Sequence, residues 1–473
     1  MNSTFKKDNA TSEDVKLLEA FNYKQELKRS LKLFSSFAVA FSFISITTGI
    51  FTNYQFVLQT GGPAGIWSWV ITVAGQLLVA LIFAELAGII PVSGYSYQWI
   101  KRLSTPFLSW ITGWISFCFL ILVIPAVDWG LAPVLASLLD IPISDHNIMM
   151  IVMATIVLQV ALNIIGVKVA AIINDGAVFT EAIGIIGLTV FLFIAAFQSN
   201  ADPSILFSTG NAAPGVSYVA PFVMTMLMGA FTLVGFEASA NLSEETINAR
   251  RTVPKAIIFS VALSGIFGMF FLIAVTLAIP NLDLVLGMSN PLPYIIETVL
   301  GAALGKVFLV LVSISIFACG LVITTSAGRL IYAMSRDDAF FFSSYFKKIS
   351  PKTQSPVAAT LLILVLCLTA TYFTESLTVL VGATAVLPAL IYLITLVSYG
   401  RARKNITFED GTFTLGKYAR PIFVLAITWL VLEIGILTIP DEFHATTMVS
   451  GLLVLLGVIC YFLFFRAKIG HSA

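Results

Sequence analysis

The residue most able to do chemistry in this sequence is Glu237, an acid within a long apolar segment. It follows Gly235 and Phe236 in GAFTLVGFEASANLSEET, a stretch that begins like a membrane helix and ends in a charged loop. A carboxylate at that depth is costly, so such residues usually face a cavity or a partner and have a function. The chemistry open to it is to attract an ammonium group or to take up a proton.

The composition indicates that a lipid bilayer surrounds these residues. Of the 473 residues, 58% are hydrophobic and 11% are charged, whereas soluble domains carry about 25% charged residues. Apolar runs of about 18 residues or more recur along the chain, and each is long enough to cross a membrane as a helix. The 26 basic and 25 acidic residues nearly cancel. No basic stripe outside the short loops suggests a nucleic-acid partner.

The other reactive residue types form no catalytic or metal-binding group in the sequence. An enzyme needs a clustered nucleophile, base or ligand set, a channel needs a repeated filter element, and an ATP-driven pump needs a phosphate-binding loop. The sequence contains none of these, so we expect no cofactor, no metal and no enzyme activity. The cysteines lie in apolar runs and the histidines lie far apart: Cys118, Cys319, Cys367, Cys460, His146, His444 and His471.

Hydropathy predicts an all-α integral membrane protein with about twelve transmembrane spans. A polar amino-terminal arm, residues 1–32, precedes the first span and lacks the apolar core of a signal peptide,. The spans are expected near residues 33–60, 64–91, 107–139, 147–169, 176–198, 218–242, 255–280, 304–333, 356–373, 376–399, 420–439 and 445–465.

The basic residues predict the orientation of these spans. They are concentrated in the arm and in every second loop after it, whereas the opposite loops are acidic and contain a single basic residue, Lys306. Because loops rich in Lys and Arg stay in the cytoplasm, we expect a multi-pass plasma (inner) membrane protein with both termini cytoplasmic. The basic segments after the arm are Lys101–Arg102, Lys168, Arg250–Arg251, Arg329–Lys352, Arg401–Arg420 and Arg466–Lys468.

The first span carries a polar interruption that matches the one at Glu237. Thr47, Thr48 and Gly49 place two hydroxyls and a flexible residue in mid-membrane. A broken membrane helix exposes backbone groups that must line a cavity, and the amino terminus of the next half-helix attracts an anion. Interrupted helices at matching positions of two halves indicate an inverted-repeat transporter. Alternatively, these small residues only let neighbouring helices pack closely.

Several segments resemble the amino acid–polyamine–organocation (APC) transporter family. ITTGIF resembles the break in that family's first span, FTLVGFEASANLSEETINARRTVPKAI its sixth span, and GRLIYAMSRDDAF a signature after its eighth span. YKQELKRSLKLFSSFAVAFSFIS and AELAGIIPVSGYSYQW are similar to the amino acid/choline (GABA permease-like) branch. The sequence departs from the family pattern at Thr47, Ala249 and Asp338, where glycine, proline and glycine are usual.

The resemblance implies a LeuT-like fold of five plus five helices in an inverted repeat, with spans 1 and 6 broken, that works by alternating access. The first repeat is then residues 33–199 and the second 218–400. Two extra helices follow within residues 420–466, and residues 467–473 form a cytoplasmic tail.

The resemblance also implies where a substrate binds. A substrate carboxylate would lie on the first break, and an amine would lie against the second, where Phe231 matches an aromatic gate. Alternatively, Phe231 and Phe236 pack against protein or lipid. The substrate-binding residues expected on this basis are Thr47, Thr48, Gly49, Ile50, Phe231, Gly235, Phe236 and Glu237.

Glu237 bears on the choice of substrate. A carboxylate there favours a compound with an exposed positive group, such as a basic amino acid, a diamine, choline or GABA. Alternatively, it accepts hydrogen bonds from freed backbone donors and holds the break in shape. Asp128, beside Trp129 in span 3, is a further candidate contact for a cation. We expect Glu85 to be structural or gating, and Glu433 to serve packing or a dimer contact.

Glu181 is the candidate coupling residue, again through the resemblance. It occupies the position in span 5 where proton-coupled relatives carry a lysine, and Ser315 and Cys319 of span 8 are its implied neighbours. Ser315 and Cys319 are four residues apart and share one helix face. Three alternatives stay open: Glu181 carries a coupling proton, pairs with Lys168, or binds sodium.

Charged residues after spans 6 and 8 predict a cytoplasmic gate. The residues expected to form salt bridges that close the inward path and break as it opens are Glu244, Glu245, Arg250, Arg251, Arg336 and Asp337. Alternatively, they are solvated loop charges that only fix the orientation.

The sequence thus predicts a secondary active transporter of amino acids or related cationic or zwitterionic amines, coupled to protons. An exchanger (antiporter) without ion coupling and a sodium symporter are the alternatives, and the oligomeric state stays open.

Overall fold

The computed structural model describes residues 18–21, 23, 25, 29–212, 215–353, 355–373, 377–406 and 412–469. Over these residues the chain is α-helical, apart from connecting segments and one isolated bridge between Leu31 and Thr246. Residues 1–17 of the predicted arm and 470–473 of the predicted tail lie outside the described residues.

The helices match the twelve expected membrane spans. Ten described helices are long and apolar enough to cross a membrane, and the other two expected spans coincide with shorter apolar helices. The protein is therefore an all-helical, multi-pass membrane protein. We number the spans in chain order and divide two of them into halves: Leu33–Ile44 (1a), Ile46–Gly61 (1b), Ser68–Ile89 (2), Pro106–Leu138 (3), Asp145–Ile165 (4), Val167–Gln198 (5), Val219–Thr232 (6a), Ala238–Asn241 (6b), Ala249–Leu277 (7), Ala302–Arg336 (8), Val357–Phe373 (9), Leu377–Ala402 (10), Ala419–Thr438 (11) and His444–Cys460 (12).

Short helices between the spans were missed by the hydropathy pattern. They include Tyr95–Leu103 after span 2, Leu282–Leu286 and Pro291–Leu300 after span 7, and Ser343–Phe346 after span 8. Each has ten residues or fewer, which is too short for a search that looks for long apolar runs. Tyr95–Leu103 packs against spans 3 and 10.

Span 1 is interrupted at Ser45, two residues before the predicted break at Thr47–Gly49. Ser45 has φ 38° and ψ 95°, which ends span 1a and lets span 1b begin at Ile46. A non-glycine residue with positive φ is uncommon, and such strain concentrates at functional sites. Ser45 also caps the new helix, because its Oγ accepts a hydrogen bond from the Thr48 amide at 3.3 Å,. The predicted residues therefore form the first turn of span 1b.

Span 6 is interrupted between Thr232 and Ala238, where the sequence predicts a break. The four-residue helix of span 6b follows the irregular segment. Gly235 has a φ of 76°, and a Cβ at this position would overlap the ring of Phe43. Both the backbone conformation and the space therefore require glycine.

The two breaks lie against each other inside the bundle. Gly49 packs so closely on Thr232 that a Cβ would overlap the threonine side chain. Spans 3 and 8 pack on each other and on span 1, span 5 packs on span 1a, and span 10 packs on span 6a. The division into repeats of residues 33–199 and 218–400 stays a prediction. The interruptions in spans 1 and 6, five spans apart, are the feature that it requires.

Several of the predicted basic segments meet at one end of the bundle. Lys101, after span 2, lies 2.7 Å from Asp337, after span 8. Leu31 of the arm bridges to Thr246, after span 6. We call this end of the protein the basic end.

Candidate substrate-binding and coupling site

Both breaks are shut off from solvent. The predicted substrate-binding residues on either side of them are at most 4% exposed, among them Thr47, Thr48, Ile50, Phe231, Phe236 and Glu237. Gly49 and Gly235 are buried as well. The structure is therefore a closed state, in which these residues contact protein on all sides.

Hydroxyl groups surround Glu181 at the amino terminus of span 1b. Ser45 Oγ and Thr47 Oγ1 each donate a hydrogen bond to Glu181 Oε1 at 3.3 Å. Thr47 Oγ1 also pairs with Ser315 Oγ at 2.8 Å. The carboxylate thus lies at a half-helix end that attracts anions. Lys168, the alternative partner of Glu181, has a side chain outside the described residues.

Cys319 binds one of the two backbone groups that the first break separates, and Glu181 lies beside the other. In a continuous helix the Thr47 amide would donate to the Phe43 carbonyl, four residues earlier. Here the Thr47 backbone lies within hydrogen-bonding range of Glu181, and Cys319 Sγ donates to the Phe43 carbonyl at 3.4 Å. Because buried backbone groups need partners, spans 5 and 8 together stabilise the broken conformation of span 1.

Asp128 is fully buried between spans 3 and 4. Gln159 Nε2 donates to Asp128 Oδ1 at 2.8 Å and also approaches the Phe317 carbonyl of span 8 at 3.4 Å. Asp128 Oδ2 has no hydrogen-bond partner among the described residues. Asp128 thus contacts Gln159 of span 4. A contact of Asp128 with a substrate stays a prediction.

Tyr392 of span 10 connects Glu237 with the second break. Its hydroxyl donates to Glu237 Oε2 at 2.8 Å and accepts a hydrogen bond from the Gly235 amide at 2.9 Å. The Phe236 ring packs on both Tyr392 and Phe83, at centroid distances of 5.1 and 5.6 Å. This geometry agrees with the alternative in which Glu237 holds the break. A carboxylate has about four lone-pair sites, which leaves capacity for a cation as well.

The buried acids divide into two groups by their charge partners. Near the basic end, four acids each have a basic partner within 4.0 Å: Glu85 with Arg403, Glu244 with Arg336, Glu245 with Arg329 and Asp337 with Lys101. Among the described residues no basic side chain lies within 4.0 Å of the other four: Asp128, Glu181, Glu237 and Glu433. An isolated charge in a low-dielectric interior is costly. The chemistry open to this second group is therefore to hold a proton or to bind a cation.

Two ion pairs join the turn after span 6b, Ser243–Glu245, to span 8 at the basic end. Arg329 Nε lies 2.8 Å from Glu245 Oε1, with side chains 3% and 5% exposed. Arg336 Nη2 lies 3.2 Å from Glu244 Oε1, and the Glu244 side chain is fully buried. Among the predicted gating charges, the structure thus joins Glu244 with Arg336. Glu245 pairs instead with Arg329, and Arg250 lies in the first turn of span 7. We call these two pairs the clamp.

The amino-terminal arm covers the clamp. Arg29 Nη1 donates to the carbonyls of Ser243 and Thr246 at 3.0 and 2.6 Å. The amides of Ser30 and Leu31 donate to the Glu245 carbonyl at 2.9 and 3.0 Å. The described part of the arm is therefore bound along the loop that carries both clamp acids.

Glu85 and Glu433 each contact a side chain of another span. Glu85 Oε1 accepts a hydrogen bond from the Tyr399 hydroxyl at 2.7 Å and lies 3.3 Å from Arg403. These contacts fix the end of span 10. Glu433 Oε1 accepts a hydrogen bond from Gln76 Nε2 at 2.7 Å, which joins span 11 to span 2.

The sequence is similar to known transport proteins over nearly its whole length. A family model described as "Amino acid permease" matches residues 31–464. Amino-acid permease BAT1 of Arabidopsis thaliana is 28% identical, over 91% of this chain and 89% of the relative. Its homologue in Oryza sativa subsp. japonica is 30% identical, over 91% and 88%. A putative polyamine transporter of Candida albicans is 24% identical, over 98% and 90%.

Proposed function

We propose that this chain, which belongs to the amino acid permease family, is a proton-coupled secondary carrier of amino acids or related amines that bear an ammonium group. The observation that carries the proposal is a pair of buried carboxylates, Glu181 at the first break and Glu237 at the second. Neither has a basic partner within 4.0 Å among the described residues. The relatives, named as amino-acid permeases and a polyamine transporter, support the same substrate class.

Substrate binding is proposed to use the two breaks differently. The amides at the start of span 1b suit a substrate carboxylate, since a helix amino terminus offers free donors and a positive dipole end. Glu237 suits the substrate ammonium. In the closed state the Tyr392 hydroxyl is hydrogen-bonded to both the Glu237 carboxylate and the Gly235 amide. Substrate binding at Glu237 would therefore affect the conformation of the second break.

Coupling is proposed to follow from the position of Glu181. Its carboxylate is hydrogen-bonded at the same helix terminus that suits a substrate carboxylate. Two like charges at one terminus repel each other, and a proton on Glu181 removes that repulsion. Proton uptake and substrate binding therefore favour each other. The surrounding hydroxyls of Ser45, Thr47 and Ser315 are also oxygen ligands, so sodium at this place is the competing outcome of the test.

The clamp and the arm are proposed to form the gate on the cytoplasmic side of a plasma (inner) membrane. The support is the concentration of Lys and Arg in the loops of the basic end,. Opening would expose Glu244, Glu245 and their arginine partners to water, which solvates separated charges well.

Uptake into proteoliposomes tests the substrate class and the coupling. The panel contains labelled arginine, putrescine, choline, GABA and leucine, with a proton gradient, a sodium gradient or neither. We expect ammonium compounds to be taken up faster with an inward proton gradient, and Glu181→Gln to remove that dependence. Glu433→Gln is the matched control, because Glu433 is equally buried but is bonded to Gln76 of span 2 and not to a residue of either break. An uptake rate that does not change with the proton gradient but rises with an inward sodium gradient would overturn the proposal of proton coupling.

Two variants separate the roles of Glu237. Glu237→Gln keeps the size of the side chain and an oxygen that can accept from Tyr392, but it removes the charge. Loss of a hydrogen bond to a charged group costs about 1.5–3 kcal/mol, so we expect a KM for cationic substrates about 10- to 150-fold higher. Tyr392→Phe removes the donor and leaves the Gly235 amide without this partner, so we expect slower transport. If the KM of Glu237→Gln for cationic substrates is unchanged, Glu237 does not bind the substrate ammonium and only holds the break.

A further inference from the structure

A cavity of about 540 Å³ opens at the basic end, between span 12 and the loop after span 8. Its walls come mainly from two aromatic segments, Phe340–Phe342 in the loop and Phe464–Phe465 in the helical segment Tyr461–Phe465 that continues span 12. Asp338 and Lys468 add one charge of each sign. Neither the proposed transport path nor the clamp uses these residues.

The aromatic wall is rigid. Phe341 packs on Phe465 and Phe464, with ring centroids 5.0 and 5.8 Å apart. Phe465 in turn packs on Trp110 of span 3 at 5.0 Å. The cavity is therefore formed by side chains that are anchored to the helix bundle, and it needs no large rearrangement to accept a ligand.

Phe342 is exposed at the rim of this cavity at an energetic cost. Its φ is 50°, an uncommon conformation for a bulky residue,, and its side chain is 79% exposed. Ser343 Oγ donates to the Phe340 carbonyl at 2.6 Å and accepts from the Phe340 amide at 3.3 Å, which closes the turn. Strained backbone conformations are concentrated at functional sites. An exposed aromatic ring at this place suits an apolar ligand.

The two chain segments that form the cavity carry more basic than acidic residues. Asp338 is the acid in its wall, and Lys347 lies 3.3 Å from that carboxylate. The basic residues of the loop and of the end of span 12 are exposed: Lys347, Lys348, Lys352, Arg466 and Lys468. Clusters of four to eight Lys or Arg beside a membrane helix attract anionic lipid headgroups.

We propose that this cavity binds one anionic phospholipid from the leaflet at the basic end. The phosphate lies toward Lys468 and Lys347, and an acyl chain lies along Phe341, Phe342 and Phe464. A lipid fits better than a protein partner because the apolar wall continues into the membrane-facing end of span 12. Phe462, Leu463 and Phe464 are 53–69% exposed there.

Native mass spectrometry of the full chain in detergent tests the proposal. The probe is an equal mixture of phosphatidylglycerol and phosphatidylcholine with identical acyl chains. The cavity variant is Lys347→Gln/Lys348→Gln/Lys468→Gln. The control, Arg401→Gln/Lys404→Gln/Lys417→Gln, removes the same charge from the loop after span 10. Because each basic residue near a membrane surface contributes strongly to anionic lipid binding, we expect wild type and control to prefer phosphatidylglycerol about tenfold, and the cavity variant less than about threefold.

A third variant tests the apolar contact. Phe342→Ala removes an exposed ring and is expected to fold normally, to bind both lipids more weakly, and to keep the headgroup preference. Equal binding of the two lipids by the wild type would overturn the proposal. So would an equal loss of preference in the cavity variant and the control, because that result indicates general attraction to the surface. Thermal melting of each variant shows whether it is folded.

Discussion

Removing Arg329 is expected to open the basic end of the protein. Arg329 and Glu245 form an ion pair at 2.8 Å whose side chains are 3% and 5% exposed. Arg329→Gln leaves Glu245 as a buried charge without this partner. Breaking a buried ion pair by removing one partner costs about 3–5 kcal/mol. The closed state bears this cost, because water solvates Glu245 once the gate is open.

The expected size of the effect follows from that cost. If all of it falls on the closed state, the ratio of open to closed molecules rises about 150- to 4,000-fold, since about 1.4 kcal/mol is a factor of ten. The Arg336–Glu244 pair and the arm remain in place, and part of the cost is relieved by local water entry. We therefore expect an increase of at least about tenfold.

Thiol labelling of Ser239→Cys measures the open population. Ser239 lies in span 6b and is fully buried in the closed state, so a membrane-impermeant maleimide reaches it only after opening. The parent carries Cys460→Ala, because Cys460 is half-buried whereas Cys118, Cys319 and Cys367 are buried. The labelling rate is compared in wild-type, Arg329→Gln and Glu245→Gln/Arg329→Gln backgrounds.

The double variant tests the physical reason. It removes both charges, so no uncompensated charge remains, and replacing both partners costs far less than removing one. We expect labelling of the double variant to fall back toward the parent rate. The exposed Arg251 supplies the control Arg251→Gln, which should leave the rate unchanged. Equal labelling of the single and double variants would refute the view that an unpaired Glu245 drives opening.

Two further changes have expected outcomes. Gly49→Ala places a Cβ onto Thr232, whereas Gly451 has open space for one. Overpacking costs about 1–3 kcal/mol, so we expect a lower melting temperature and slower uptake for Gly49→Ala and near-normal values for Gly451→Ala. Arg29→Gln removes the arm's hydrogen bonds to two loop carbonyls. Hydrogen bonds that involve a charged group are worth about 1.5–3 kcal/mol, so labelling of Ser239→Cys should rise, but less than with Arg329→Gln.

The membrane spans and the approximate position of both breaks could be predicted because they depend on local sequence. The length and hydropathy of an apolar run locate a helix in the bilayer. Glycine beside polar residues indicates where such a helix is interrupted. The first break nevertheless lies at Ser45 and not at Thr47–Gly49. Its position depends on which backbone groups find partners elsewhere, namely Glu181 and Cys319, and these partners lie on other spans.

The partners of Glu237 and Glu245 could not be predicted for the same reason. Tyr392 stands in an apolar run with nothing nearby to mark it, yet it bonds both Glu237 and Gly235. Arg329 looks like one loop charge among many, and only the packing of span 8 on span 6b brings it to Glu245. Hydropathy gives the depth of a residue but not the direction in which its side chain points.

The two groups of buried acids suggest how gate and site are linked. Glu244 and Glu245 are compensated by arginines while the turn after span 6b lies against span 8, so the proposed gate would be favoured in its closed form whatever is bound. Glu181 and Glu237 have no such partner among the described residues. A bound proton or a cationic substrate would therefore lower the energetic cost of burying their charge. Span 6b and the short turn Ser243–Glu245 connect the break at Glu237 with the clamp acids. We therefore propose that a cation that changes the hydrogen bond between Glu237 and Tyr392 acts on the clamp through the seven residues of chain from Glu237 to Glu244.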